Sequence, residues 1–129
     1  MKRVLVCGGR AFDDRDLFDA VMSEIASRGR LIRVIQGGAT GADALAREWC
    51  VRWGYRYEHF PADWRRLGPA AGPIRNQEMI NVGRPDLVLA FPGGRGTADM
   101  VRRAKAAGIE VREIPAGRAA LASTEGEKR

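Results

Sequence analysis

Three glycine-rich runs hold most of the chemistry open to this sequence: Cys7-Gly8-Gly9-Arg10, Gly37-Gly38-Ala39-Thr40-Gly41-Ala42-Asp43 and Pro92-Gly93-Gly94-Arg95-Gly96-Thr97-Ala98-Asp99. Glycine lets the chain turn through positive φ and lets backbone N–H groups approach a ligand closely. A helix that starts just after such a turn adds unpaired N–H donors and the positive end of its dipole. The group best suited to this combination is a phosphate, with a ribose beside it. One Gly-Gly pair alone reads as a tight strand-to-helix turn; three at one sheet edge read as a binding site. None of the runs continues as Gly-Lys-Ser/Thr, and none has Gly-x-Gly-x-x-Gly spacing, which disfavours a P-loop ATPase and a dinucleotide-dependent oxidoreductase.

The side chains beside these turns sort by charge. Arg10 and Arg95 can grip phosphate oxygens bidentately, or be solvated loop residues. Thr40 and Thr97 can cap the helices that follow, donate a hydroxyl to phosphate, or both. Asp43 and Asp99 are expected in the first turns of those helices, where the dipole stabilises a carboxylate. A carboxylate repels phosphate, so a functional Asp at either place would face ribose hydroxyls or orient a partner. Trp64, on the polar run Ala62-Asp63-Trp64-Arg65-Arg66, can stack on a base or fold as a lid onto the core or a dimer surface. His59 lacks a Cys/His/Asp ligand set and reads as structural, so no metal and no cofactor is expected. Cys7 and Cys50 lack zinc-site or disulfide spacing and read as buried apolar residues.

The elements that must position these groups follow from hydrophobic periodicity. Strands are expected at Val4-Leu5-Val6, Leu31 to Ile35, Tyr55 to Phe60, Asp86 to Phe91 and Ile109 to Ile114. Between them the pattern predicts a helix behind Asp13 and Asp14 with Leu17, Val21 and Ile25 facing inward. A second helix is expected from Ala42 to Trp53 with Leu45, Trp49 and Trp53 on one buried face, then a loop from Pro61 to Gly68. Further helices follow at Ala71 to Val82 and Thr97 to Ala107. Strands alternating with helices build a three-layer α/β/α sandwich, here Rossmann-like with a mostly parallel five-stranded sheet. Ligands then bind beyond the carboxyl ends of the strands.

The chain has 129 residues and a net charge of +6. That length suffices for one core without disulfides or metals. The expected organisation is one binding domain over residues 1–114 and a frayed, polar tail over residues 115–129. The start of the chain runs directly into glycines rather than a signal-peptide core, and no apolar run is long enough to span a membrane, so the protein is expected in the cytoplasm without a membrane partner. The positive charge favours anionic partners.

The sequence of motifs Gly-Gly-Arg, Gly-Gly-Ala-Thr-Gly-Ala-Asp, Ala-Gly-Pro-Ile-Arg-Asn (Ala71 to Asn76) and Pro-Gly-Gly-Arg-Gly-Thr resembles the SLOG superfamily. That superfamily includes the Lonely Guy phosphoribohydrolases and the DprA/Smf DNA-processing proteins, and the resemblance is closest to its small stand-alone members. It implies a Rossmann-like fold, a phosphate- or ribose-binding loop at Pro92 to Thr97, and Arg75 with Asn76 reaching the same pocket. The Lonely Guy enzymes cleave a nucleotide N-glycosidic bond with an arginine, matched here by Arg75, and a glutamate three residues beyond the threonine. That position is Met100 in this chain, which cannot stabilise an oxocarbenium ion or activate water. Asp99 is adjacent, but one helical step turns a side chain by about 100°.

The leading expectation is therefore binding or sensing of a nucleotide-derived small molecule such as an ADP-ribose or NAD relative. Its ligand would be held by Gly8, Gly9, Arg10, Gly38, Ala39, Thr40, Gly41, Asp43, Arg75, Asn76, Pro92, Gly93, Gly94, Arg95, Gly96 and Thr97, in a homodimer. The alternatives are a nucleotide N-glycosidase, with Arg75 and Asp99 or Asp43 as catalytic groups, and a DprA-like single-stranded DNA-binding module.

Overall fold

A computed structural model describes residues 2–29 and 31–117. Five strands, β1 (Lys2–Cys7), β2 (Leu31–Gln36), β3 (Arg56–His59), β4 (Leu87–Ala90) and β5 (Glu110–Glu113), form one sheet in the order β3-β2-β1-β4-β5. Every pairing is parallel, so the sheet is wholly parallel rather than mostly so. Six helical segments connect the strands: α1 (Arg15–Ser27), α2 (Ala42–Trp53), the single turn α3 (Trp64–Leu67), a 3₁₀ turn (Gly68–Ala70), α4 (Ala71–Asn81) and α5 (Arg95–Ala106). The tail expected over residues 115–129 lies outside the described residues from residue 118 onward.

The central strands alternate between two faces, and both are covered. Val4, Val6, Val34, Leu87 and Leu89 pack with Phe18, Met22 and Ile25 of α1 and Leu45, Ala46 and Trp49 of α2. On the other face Leu5, Cys7, Ile35, Val88 and Ala90 pack with Met79 and Ile80 of α4 and Met100, Val101 and Ala104 of α5. Strands buried on both faces read as continuous apolar runs, which is why Val4-Leu5-Val6 and Leu87-Val88-Leu89 were legible as strands. The two cysteines are buried and unpaired, as their spacing implied.

Four local expectations require correction. The inward stripe of α1 is Phe18, Met22 and Ile25, with Leu17 and Val21 only half-buried at its margin. Trp53 is 61% exposed, because it is the last residue of α2 before Gly54 turns the chain away through φ 77°. The Pro61 to Gly68 loop contains α3, started by Asp63, whose side chain accepts a bond from the Arg66 N–H at 3.1 Å. The last helix begins at Arg95, two residues before Thr97, so Asp99 sits in its second turn rather than its first.

The strand order reverses between β1 and β4. Their register, Val4 with Leu87 through Cys7 with Ala90, brings both strands to an end at the same level. The first and third glycine runs therefore emerge side by side and lead into α1 and α5, which cover opposite faces. This is the crevice in which open parallel sheets bind ligands.

Candidate functional site

The first glycine turn is held on both sides by backbone. Gly9 donates its N–H to Pro92 O at 2.8 Å, and Gly9 O accepts from Phe12 N at 3.1 Å and from Ala42 N at 3.3 Å. The Gly9–Pro92 bond fastens the turn after β1 to the turn after β4, and the Gly9–Ala42 bond closes the start of α2. Glycine is required where these chains cross. A β-carbon on Gly93 would lie 2.6 Å from Gly9 N, and one on Gly41, at φ 70°, would lie 2.6 Å from the Arg10 carbonyl carbon.

The start of α5 differs. Gly94 is its N-cap and supplies no side-chain bond, and the first helical bond runs from Ala98 N to Gly94 O at 3.0 Å. The N–H groups of Arg95, Gly96 and Thr97 thus have no acceptor within the helix. A β-carbon on Gly94 or Gly96 would meet nothing within 4 Å. The fold does not need glycine at these two places, in contrast to Gly41 and Gly93.

Between these turns lies a cleft of about 810 Å³, within the range of small-ligand sites. Its walls include Gly8, Gly9, Arg10, Ala39, Asp43, Arg75, Asn76, Gly94, Arg95, Gly96, Thr97 and Asp99, which joins most of the residues singled out in the sequence. Gly38, Thr40, Gly41, Pro92 and Gly93 do not line it, and Gly38, Thr40 and Gly93 are exposed to solvent. Gly38 takes φ 72°, and its N–H donates to Oε1 of the buried Gln36. Thr40 does not cap α2; Gly41 does, and the Thr40 hydroxyl instead donates to Arg10 O at 3.1 Å. Thr97 does not cap α5 either, since Gly94 holds that position.

The second glycine run is tied to α4 through Arg75. Its Nη1 donates to Gly37 O at 2.8 Å and its Nε to Asn76 Oδ1 at 3.1 Å. A β-carbon on Gly37 would come within 2.9 Å of both the Arg75 guanidinium carbon and Asp43 Oδ2, so these groups press against the turn. Asp43 accepts from the Ala39 N–H at 3.2 Å. Burial pushes its carboxyl above the ordinary value, against the opposing pull of the Ala39 N–H and the Arg75 charge. Burial likewise lowers the Arg75 guanidinium pKa from its ordinary value. Cys7, on the cleft floor, is pushed up to about 12 by burial, with Asp43 adding to the effect. It is a protonated thiol at neutral pH and not a nucleophile.

Asp99 is engaged on several sides. Asn76 Nδ2 donates to it at 3.0 Å, Arg103 Nε at 2.8 Å and Arg102 Nη2 at 2.5 Å. Burial alone would raise its pKa, but the Arg103 and Asn76 bonds outweigh it and hold the carboxyl below the ordinary range. Met100, in the place of the Lonely Guy glutamate, is fully buried in the core. Four guanidinium groups (Arg10, Arg75, Arg95, Arg102) and two carboxylates line the cleft, leaving an excess of positive charge.

Sequence reasoning did not include Arg102, Pro69 or Met79, which also line the cleft, and it quoted Gly72 and Pro73 only within the Ala71 to Asn76 motif. Gly72 and Pro73 lie in the first turn of α4, inside the helix expected from Ala71, where proline costs no helical bond. Trp64 does lie on the cleft rim, 45% exposed, with the Arg10 guanidinium 5.0 Å from its ring centroid. His59 is exposed at the edge strand β3, edge-on to Tyr57. Among the described residues no group of three or more His, Cys, Asp or Glu side chains is placed to hold a metal, and no helix is long and apolar enough to cross a membrane.

This geometry meets the comparisons with known proteins at the first two glycine runs. The profile of the YspA, cpYpsA-related SLOG family (YAcAr) matches residues 2–67. The chain belongs to this SLOG family. It is also 42% identical over 121 residues to the Gene 61 protein of Mycobacterium phage D29, covering 86% of this chain and 94% of the phage protein. The SLOG profile covers β1 to α3, including the Gly8-Gly9-Arg10 and Gly37 to Asp43 turns, while the phage protein extends the similarity over most of the chain. Membership of the family points to a nucleotide-related function.

Proposed function

We propose that the cleft binds a nucleotide-derived small molecule, with its phosphate at the start of α5 and its ribose between the Gly8-Gly9 turn and Asn76. The observation that carries this reading is the open N-terminus of α5, where Arg95, Gly96 and Thr97, whose N–H groups have no acceptor within the helix, line a cleft that also holds Arg10, Arg75 and Arg102. Free N–H donors, a helix dipole and guanidinium groups together favour a phosphate. SLOG membership supports the same class of ligand.

Binding is favoured over turnover because both cleft carboxylates are occupied. Asp99 is paired with Arg102 and Arg103 and accepts a further bond from Asn76, and Asp43 is held by the Ala39 N–H beside Arg75. One observation speaks for the glycosidase reading: the Asp43 carboxyl is raised by burial, the condition a general acid needs.

A thermal-shift screen against nucleoside monophosphates, ADP-ribose, NAD and cyclic nucleotides, followed by chromatography for released base, tests the proposal. The expected result is a stabilising ligand recovered intact, with affinity reduced about tenfold or more in Arg95→Ala, a change at an exposed side chain that leaves the unliganded Tm unaltered; one decade corresponds to about 1.4 kcal/mol. Free base would transfer the function to the glycosidase. No shift with any compound would overturn the proposal.

A further inference from the structure

The wall of the cleft opposite the glycine turns carries an indole that the phosphate and ribose reading does not use. Trp64 opens α3 after the Asp63 cap, and it is 45% exposed although it borders the same cleft as Gly94 and Thr97. Its ring passes over α4 at Gly72, where a β-carbon would come within 3.1 Å of Cη2. Gly72 is buried in the first turn of α4 and gives the ring the room it occupies. The Arg10 guanidinium, a flat group, lies 5.0 Å from the ring centroid. The ring is therefore within reach of a planar group from the cleft, and a single arginine side chain spans the distance from the first glycine turn to the indole.

We propose that Trp64 is the platform for the ligand's nucleobase, with Gly72 as the residue that lets it sit there. This rests on the phosphate reading above and deepens it, since it requires a ligand with an aromatic base and not a sugar phosphate alone. A ligand phosphate at the start of α5 draws Arg10 toward its negative charge, and the base takes the guanidinium's place against the indole. Stacking on an aromatic side chain tolerates any base because each has a π-face. Trp64 accordingly sets the class of ligand, and the choice among bases falls to other groups.

The test is calorimetric titration of the wild type, Trp64→Phe and Trp64→Ala with the four common nucleoside 5′-monophosphates and with ribose 5-phosphate, the fold being checked by Tm. The wild type is expected to bind at least one nucleotide about tenfold or more tightly than ribose 5-phosphate. Trp64→Ala is expected to remove that advantage and leave ribose 5-phosphate unaffected, and Trp64→Phe to restore most of it. Equal nucleotide affinity in the wild type and Trp64→Ala would overturn the platform and leave the phosphate site standing, as would parallel loss of both ligands in Trp64→Ala. Failure of every probe to bind the wild type would overturn both.

Discussion

At the residue scale, the two cleft aspartates have opposite electrostatic situations although both follow a glycine run. Asp99 is covered by its own partners, with a side chain only 12% exposed beside Arg103 and Arg102. Its pKa is held below the ordinary 3.8, so its contribution to stability is present above that value and is lost as pH falls through the lower, folded value. Asp99→Asn should cost about 1.5–3 kcal/mol at neutral pH, the range for losing hydrogen bonds to charged groups. The difference from wild type should shrink below about pH 4, as urea melts at pH 7 and pH 3 would show. Asp43 has the reverse sign: its raised pKa means that stability from this group is greatest in acid and is lost as pH rises through the folded value. Neither situation is readable from sequence. The spacing of Asp99 from Arg102 and Arg103 permits ion pairs, but only the packing of α4 on α5 brings in Asn76, and with it the third bond.

At the scale of elements, glycines that look alike in sequence divide into two kinds. Gly41 and Gly93 are demanded by backbone crossings, and Ala at either should cost about 3 kcal/mol or more, through a clash with backbone that cannot move and, at Gly41, a strained positive φ. Gly96 has open space where its β-carbon would be and lies in the first turn of α5. Gly96→Ala should therefore hold stability constant or raise it by about 0.5–1 kcal/mol, the helical advantage of Ala over Gly. If a phosphate approaches the α5 backbone there, the same change should weaken ligand binding about tenfold. Denaturation and calorimetry on one protein preparation read both effects. The central strands β1, β2 and β4 were legible because their apolar runs, each followed by glycine, leave little choice. The helix faces were less so. On α1, Leu17-Val21 and Phe18-Met22 are two overlapping stripes about 100° apart, and only the start at Arg15 and the packing against Phe91 select the second. Threonine and glycine are about equal as N-caps by propensity, and Gly41 and Gly94 cap α2 and α5 because only glycine clears the neighbouring chain at Gly41, and because α5 begins before Thr97 is reached.

At the scale of the whole molecule, topology turns three scattered motifs into one site. The strand order β3-β2-β1-β4-β5 places the turns after β1 and β4 side by side, with the turn after β2 joined to the first of them by the Gly9–Ala42 bond and tied to α4 by Arg75. Alternation of strands and helices announced the parallel sheet, and the glycine runs announced which sheet edge carries the site. What could not be read was that Trp64, Pro69, Gly72 and Pro73 line one cleft together, because the Pro61 to Gly68 segment expected as a loop folds as α3 and runs through a 3₁₀ turn into α4. The positive excess in the cleft predicts a ligand affinity that falls with rising ionic strength, because screening acts on the partly exposed guanidinium groups. The central claim is that a nucleotide phosphate rests on the backbone at the start of α5. A ¹H–¹⁵N titration of the isotope-labelled protein with the best ligand from the thermal screen tests it directly. The largest shifts are expected at the amides of Arg95, Gly96 and Thr97, with smaller ones at Gly8 and Gly9. Shifts confined to other surfaces, with those amides unmoved at saturation, would contradict it.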